Sequence, residues 1–257
     1  MHVEARGVQF EKGEPLTVSE RNEQHRLCWD SLREARGAQE YPNGNPSQHG
    51  VTGYGCNSQV NFTVSGIDLS THEIVERRMV ARYVRPQDRV LEGGAGIGAV
   101  TRVMLDAGAI VTAFEPGPEQ FPYLQRLTEA YPSRCRPIQK ALAEYDGEVP
   151  LHLYHPWIAC RTTALGGCVP YDTIRVQARG WSSELETGEY TGLVIDIEGA
   201  EHGLLASSLP EKLRWIVAEL HGTPEEMAQT LLAPCPAFKL DAVEAHLTYL
   251  VAGWVRA

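Results

Sequence analysis

Three acidic clusters, each closing an apolar run, hold the residues of this chain that could do chemistry. Glu92 closes Val90-Leu91 and opens a turn, Gly93-Gly-Ala-Gly-Ile-Gly98. Asp196 closes Leu193-Val-Ile195, with Glu198, Glu201 and His202 just behind it. Glu219 and His221 end a third run that begins at Arg214-Trp-Ile-Val. Open parallel sheets bind ligands outside the carboxyl ends of their strands, so all three clusters can meet at one edge. Glycines between strand and helix let the backbone bend sharply and come close to a ligand. A carboxylate at the mouth of that turn repels an anionic ligand and attracts a cationic one.

That charge bears on the nucleotide. Gly94-Ala-Gly-Ile-Gly-Ala99 fits the short dinucleotide pattern G-x-G-x-x-G/A. A dinucleotide would place its pyrophosphate against Glu92, which disfavours an NAD(P)-dependent oxidoreductase. S-adenosyl-L-methionine has no phosphate and carries an ammonium and a sulfonium, so it suits the turn. The next apolar run, Ile110-Val-Thr-Ala-Phe114, ends at Glu115. A carboxylate there can accept both hydroxyls of a ribose, in either cofactor. The bland alternative is a glycine-rich connection with two incidental acids.

These residues need a frame, and the apolar periodicity supplies one. Val100, Val103, Met104 and Leu105 recur at helical spacing after the glycines, and Gly108 is placed to end that helix. Ser70-Thr-His-Glu73 has the pattern of a capping box for a helix through Ile74, Val75, Met79, Val80 and Tyr83. His72 falls in its first turn, as a surface residue or a base. A helix through Phe121, Leu124 and Leu127 follows Pro116-Gly-Pro118, and 135–143 reads as one third strand. Residues 144–148 carry a hairpin signal, 149–154 alternate, and 173–178 read as a further strand. Thr223-Pro-Glu-Glu226 is a second capping box, with proline at the first helical position. Runs at 237–243 and 246–251 read as a closing antiparallel pair. The expected fold is α/β: a doubly wound, mostly parallel seven-stranded sheet.

The chain has 257 residues, enough for one α/β domain with an extension. Its net charge of −10 argues against a nonspecific grip on nucleic acid or anionic lipid, both of which need a basic surface. No apolar run approaches the ~18 residues of a membrane span, and the first residues lack a secretory pattern, so the expected location is cytoplasmic. The six cysteines include no C-x-x-C pair and read as free thiols; a bridge or metal at Cys160 and Cys168 is the lesser alternative. Residues 1–69 form an extension around a turn-rich stretch at 41–57. It is either a disordered arm or a lid with Tyr54 or His49 as contacts. No pattern fixes an oligomeric state.

Ile195-Asp-Ile-Glu-Gly-Ala-Glu201 resembles the D-V/I-E-G-A-E signature of the FkbM family of S-adenosylmethionine-dependent methyltransferases. Glu92-Gly-Gly-Ala-Gly-Ile-Gly98 is similar to that family's D-V-G-A-N-I-G turn, with glutamate for aspartate at 92 and glycine for asparagine at 96. Ala113-Phe-Glu-Pro116, Lys140-Ala-Leu-Ala143 and Glu219-Leu-His221 look like its second-, third- and fifth-strand ends. The resemblance spans residues 85–222. It implies a Rossmann-like class I methyltransferase fold with S-adenosyl-L-methionine held by Glu92, Gly94, Ala95, Gly96, Gly98, Glu115, Pro116, Ala141 and Asp196. It implies a small-molecule, sugar or peptide acceptor, methylated on oxygen in secondary metabolism or, alternatively, on nitrogen.

Methyl transfer is an in-line displacement, in which the protein chiefly holds the nucleophile against the methyl. A hydroxyl acceptor also benefits from a base. The candidates are Asp196, Glu198 and His221, with His221 the best tuned at neutral pH. Glu198 and Glu201 could instead serve only as helix N-terminal charge. His202 reads as a supporting or surface residue. The acids and histidines together could hold Mg²⁺, Ca²⁺ or a transition metal. Their spacing matches no recognised ligand pattern, and the expectation is that there is no metal. A non-catalytic module that keeps the fold is the remaining alternative.

Overall fold

The computed structural model describes residues 63–64, 67–68, 73–154, 159–161, 172–232, 237–245 and 249–257. All lie in one compact unit, Tyr54–Ala257. His49, Tyr54, His72 and Cys168 fall outside the described residues, as does most of the expected 1–69 extension.

β1 (Thr63–Val64) and β2 (Ile67–Asp68) pair as a small antiparallel sheet, and a seven-stranded sheet carries the fold, in the order β12-β13-β11-β10-β3-β4-β5. Its parallel strands are β3 (Arg89–Gly93), β4 (Ile110–Phe114), β5 (Cys135–Ile138), β10 (Gly192–Ile195) and β11 (Trp215–Leu220). β12 (Phe238–Ala245) and β13 (Leu250–Arg256) close one edge antiparallel, with an irregularity between Leu240 and Ala242. The chain leaves β3 toward β4 and β5, then returns to the other side of β3 with β10 and β11. The reversal puts a crevice at the carboxyl ends of β3 and β10, where Gly93 pairs with Ile195.

Burial explains why β3, β10 and β11 read as continuous apolar runs. Val90, Leu91, Leu193, Ile195, Ile216 and Val217 are all buried, as strands covered on both faces require. Helix α1 (Ile74–Tyr83) and helix α2 (Ala99–Asp106) pack Met79, Val80, Val100, Met104 and Leu105 into one core with Val90, Val111 and Trp215. Each such side chain contributes ~1.5–3 kcal/mol by leaving water. At the opposite end of the strands, buried Asp88 accepts hydrogen bonds from the Arg85 amide (2.9 Å), Thr191 Oγ1 (2.8 Å) and Trp215 Nε1 (3.1 Å), and pairs with Arg214. It ties the starts of β3, β10 and β11 together.

Two expectations are corrected here. Residues 135–143 are not one strand. β5 stops at Ile138, where the Lys140 amide turns back on the Ile138 carbonyl, and Ala141–Ala143 (β6) joins a second sheet. That sheet has the order β6-β9-β7-β8, with β7 at Gly147–Tyr154, β8 at Ala159–Arg161 and β9 at Asp172–Gly180. The residue 144–148 segment is therefore no hairpin: β6 and β7 both pair with β9 rather than with each other. Ser70, Thr71 and His72 of the expected capping box lie outside the described residues. α1 starts at Ile74, and Glu73 is its N-cap residue, at a φ of 51° and without a side-chain cap bond.

The remaining helices are α3 (Phe121–Thr128), α4 (Trp181–Thr187), α5 (Glu201–Ala206) and α6 (Pro224–Leu232). α6 opens on the expected capping box, with the Thr223 amide donating to Glu226 Oε2 and the Glu226 amide to Thr223 Oγ1. β12 and β13 form the expected closing pair, each reaching beyond the expected run.

Candidate active site

The glycine turn is locked to the strands on either side. The amides of Gly94 and Ala95 both donate to the Phe114 carbonyl at the end of β4, at 2.9 Å each. Gly94 has a φ of 78°, and a Cβ there would lie 1.6 Å from the Asp196 carbonyl oxygen. Only glycine lets the turn and the end of β10 come this close. Gly96 and Gly98 also take positive φ, and Gly98 immediately precedes α2.

Around this turn the carboxylates converge. Glu92 is 2% exposed and accepts a hydrogen bond from Thr101 Oγ1 at 2.6 Å. Burial drives its pKa up to about 8, against the Thr101 bond and with help from the charges of Glu73 and Glu115. Glu115 is oriented by the amides of Gly96 (2.7 Å) and Gly117 (2.6 Å), one on each oxygen. Burial raises it to about 7 despite those two bonds. Asp196 follows β10 directly and donates its amide to the Gly93 carbonyl. Its Oδ1 is buried without a hydrogen-bond partner. Burial first, then the charges of Glu219 and Glu198, hold its carboxyl well above the usual range.

A small cavity beneath the turn is lined by Glu73, Glu76, Glu92, Asp196 and Glu219 among apolar and backbone groups, with no basic side chain in its lining. The sequence pattern placed Glu92, Asp196 and Glu219 here. It missed Glu73 and Glu76, which α1 carries in from the other side of the crevice. Their position at the start of a helix that leads into β3 was the available signal.

His221, just beyond β11, is the hub of the second group. Its Nδ1 lies 3.2 Å from Glu201 Oε1. Its Nε2 lies 2.9 Å from Glu219 Oε1, 3.2 Å from Glu198 Oε2 and 4.0 Å from Asp196 Oδ1. Burial alone would lower its pKa, but the bonds to Glu201 and Glu219 and the charges of Asp196 and Glu198 push it up to about 11. A pKa raised that far disfavours the role of neutral-pH base expected for His221. Burial raises Glu219 to about 8, with His221 pulling down and Glu76 pushing up. Protons on carboxylates are thus available to leave near neutral pH, whereas the one on His221 is held.

Glu201 is fully buried, and it accepts the amides of Ile197 (3.1 Å) and Gly199 (2.9 Å) as well as His221. Those contacts tie down the loop before α5, so Glu201 does more than place charge at a helix start. Burial raises its pKa, but His221 and the Gly199 amide outweigh that and hold it below the usual value. In the same loop Glu198 adopts a φ of 57°, uncommon for a residue with a Cβ. His202 contacts Thr230 Oγ1 and the His221 carbonyl, a supporting position. Pro116 follows Glu115 directly. Ala141 packs with Ala143, Val149 and Ala178 in the second sheet, and its neighbour Leu142 lies close to Gly93.

A Rossmann-like sheet whose glycine turn opens on an acidic, phosphate-repelling crevice has the architecture of a class I methyltransferase. The Methyltransferase FkbM domain model matches residues 92–250, more than half of the chain. The chain belongs to the FkbM family and is an S-adenosylmethionine-dependent methyltransferase. No curated protein matches it. Among solved structures it is similar to the C-terminal domain of precorrin-6Y C5,15-methyltransferase from Rhodobacter capsulatus, at 13% identity and a TM-score of 0.45, covering 76% of this chain and 92% of that one. It is also similar to 1,6-didemethyltoxoflavin-N1-methyltransferase from Burkholderia thailandensis with bound S-adenosylhomocysteine, at 19% identity and a TM-score of 0.40, covering 74% and 81%. A third, from Streptococcus pneumoniae, is named as a candidate tRNA (m1A22) methyltransferase in complex with S-adenosyl-L-methionine, at 12% identity and a TM-score of 0.44, covering 71% and 72%. No helix among the described residues is long and apolar enough to cross a membrane.

Proposed function

We propose that this methyltransferase acts on a hydroxyl of a small molecule, sugar or peptide, in the cytoplasm and in secondary metabolism. The observation that carries this reading is the crevice of buried carboxylates around the glycine turn, poised near neutrality and lined by no lysine or arginine among the described residues. Such a site stabilises the ammonium and sulfonium of the cofactor and would repel a pyrophosphate. In the proposed assignment Gly94, Ala95, Gly96 and Gly98 let the cofactor approach the backbone, and Glu92 meets its positive end. Glu115, already oriented by two amides, receives the ribose, with Pro116 and Ala141 flanking the base. Asp196, at the switch point, faces the reacting end.

The acceptor oxygen attacks the methyl carbon in line, and the C–S bonding pair returns to sulfur, leaving neutral S-adenosylhomocysteine. The acceptor proton passes to a carboxylate, for which Asp196 and Glu198 are the proposed groups. His221, within reach of both, holds those carboxylates in place. Beside the methyltransferase domain at 70–257 in sequence, residues 1–69 are the proposed extension that selects the acceptor. One observation favours a second reading, N-methylation: the carboxylates outnumber the cofactor's two positive groups, and an amine would arrive as a cation.

Purified protein incubated with methyl-labelled S-adenosylmethionine and a panel of hydroxylated and amine acceptors tests the proposal. Labelled product with the methyl on oxygen is expected. Label on nitrogen only selects the second reading, and cofactor binding without turnover on any acceptor would reduce the chain to a binding module.

A further inference from the structure

We infer that Asp196, Glu198 and His221 form a site for one hard divalent cation, Mg²⁺ or Mn²⁺, with Glu219 at its edge. The three residues each offer a ligand atom, and these atoms lie within 4.8 Å of one another. Donors around Mg²⁺ at ~2.1 Å stand about 3 Å apart when adjacent and about 4.2 Å when opposite. The 4.0 Å between His221 Nε2 and Asp196 Oδ1 therefore has to close by about 1 Å for the two to stand as adjacent ligands.

Two features distinguish this group from a patch of acids. First, the ring of His221 is oriented for ligation. Glu201 Oε1 takes Nδ1 at 3.2 Å, and Glu201 is itself fixed by the amides of Ile197 and Gly199. That leaves Nε2 facing the carboxylates. A carboxylate behind the distal nitrogen is the usual support of a metal-bound histidine. Second, Asp196 Oδ1 points toward Nε2, buried and without a hydrogen-bond partner. A buried acceptor left unpaired is costly, and a cation would satisfy it. The donor set, two carboxylates with one imidazole, suits Mg²⁺ or Mn²⁺ better than a thiolate-seeking metal.

The purpose of the site rests on the methyl-transfer reading: beside Asp196, an open coordination position would hold the acceptor oxygen against the methyl. Its existence does not rest on that reading. Mn²⁺ is therefore titrated alone into the full chain, and free aqueous Mn²⁺ is followed by electron paramagnetic resonance. One bound ion per chain is expected, with binding weakened at least about tenfold in Glu198→Gln and in Asp196→Asn and unchanged in Glu148→Gln, an exposed residue of β7. Glu198 lies partly exposed, so its glutamine variant should fold; melting curves check each protein. No binding at about 1 mM Mn²⁺, or binding in both site variants equal to the parent's, overturns the inference. Calorimetry with S-adenosylmethionine in the presence of chelator separates the claims. Cofactor binding without Mn²⁺ binding refutes only the cation site; Mn²⁺ binding without cofactor binding refutes only the methyl-transfer reading.

Discussion

Glu92→Gln should make the empty protein more stable while making it a poorer methyltransferase. Glu92 sits 2% exposed under the glycine turn with a pKa of about 8, against an ordinary 4.5. The unfolded chain gains free energy by ionising this residue above pH 4.5, whereas the folded chain cannot do so until pH approaches 8. Stability is thus fully present below 4.5 and falls as pH rises toward 8. At ~1.4 kcal/mol per pH interval the loss is about 3 kcal/mol at pH 7 and under about 1 kcal/mol at pH 5. Glutamine keeps the oxygen that accepts from Thr101 and never ionises. For a chain of this size the gain at pH 7 corresponds to a melting point higher by roughly 5–10 °C. The cofactor's positive charge favours the ionised form, so the same change should weaken S-adenosylmethionine binding by about 10- to 100-fold, the worth of one charged hydrogen bond. Differential scanning fluorimetry at pH 5 and 7, with calorimetric titration of cofactor, measures both effects. A variant no more stable than the parent at pH 7, or equally stabilised at both pH values, would refute the claim that Glu92 is a buried, neutralised acid.

Cofactor binding to the unaltered protein should expel about one proton at pH 7, as Glu92 and Glu115 ionise against the incoming cation. Calorimetry in buffers of different ionisation heat would show this; an absence of buffer dependence would count against it. Gly94→Ala should abolish cofactor binding and lower the melting point, because the new Cβ would stand 1.6 Å from the Asp196 carbonyl oxygen. A variant that binds normally would mean the turn is looser than described. Asp88→Asn should cost roughly 2–3 kcal/mol at pH 7 and leave cofactor affinity unchanged, since Asp88 ties strands at the far end of the sheet. The folded pKa of Asp88 is depressed, because its bonds to Thr191, Arg85, Arg214 and Trp215 outweigh burial. Its contribution is present above the unfolded value of 3.8 and lost as pH falls through the folded one, so parent and variant should converge in acid melts.

The fold was legible where burial wrote itself into composition. β3, β10 and β11 are covered on both faces, so Val90-Leu91, Leu193-Val-Ile195 and Ile216-Val217 had to be apolar without interruption. Thr223 and Glu226 announced their helix because a capping box is a local device, complete within four residues. Glu73 instead answers a long-range demand: it lines the acidic crevice, and its backbone turns left-handed to enter α1. The break at Ile138 was hidden for a similar reason. Val149, Val176 and the small alanines of 141–143 form a second core, whose partner strand β9 lies some thirty residues on, beyond the reach of any local pattern.

The site was legible in its membership and not in its protonation. Spacing alone placed Glu92, Glu115, Asp196, Glu198 and His221 at one edge, because strand ends in a parallel sheet are a topological fact. Which of them carries a proton depends on desolvation and on neighbours from other elements. A histidine with no partner would titrate near 6.5 and serve as a base; encircled by Glu201, Glu219, Glu198 and Asp196, it does the opposite. Those four carboxylates arrive from two strand ends and one helix start. A single ring then decides which acids in the crevice stay neutral, and the crevice gathers negative charge without expelling itself into water. The entry of a cation, whether the sulfonium of the cofactor or a metal ion, is what would discharge that arrangement. Chemistry that ends by turning a sulfonium into a neutral thioether then weakens the hold on its own product.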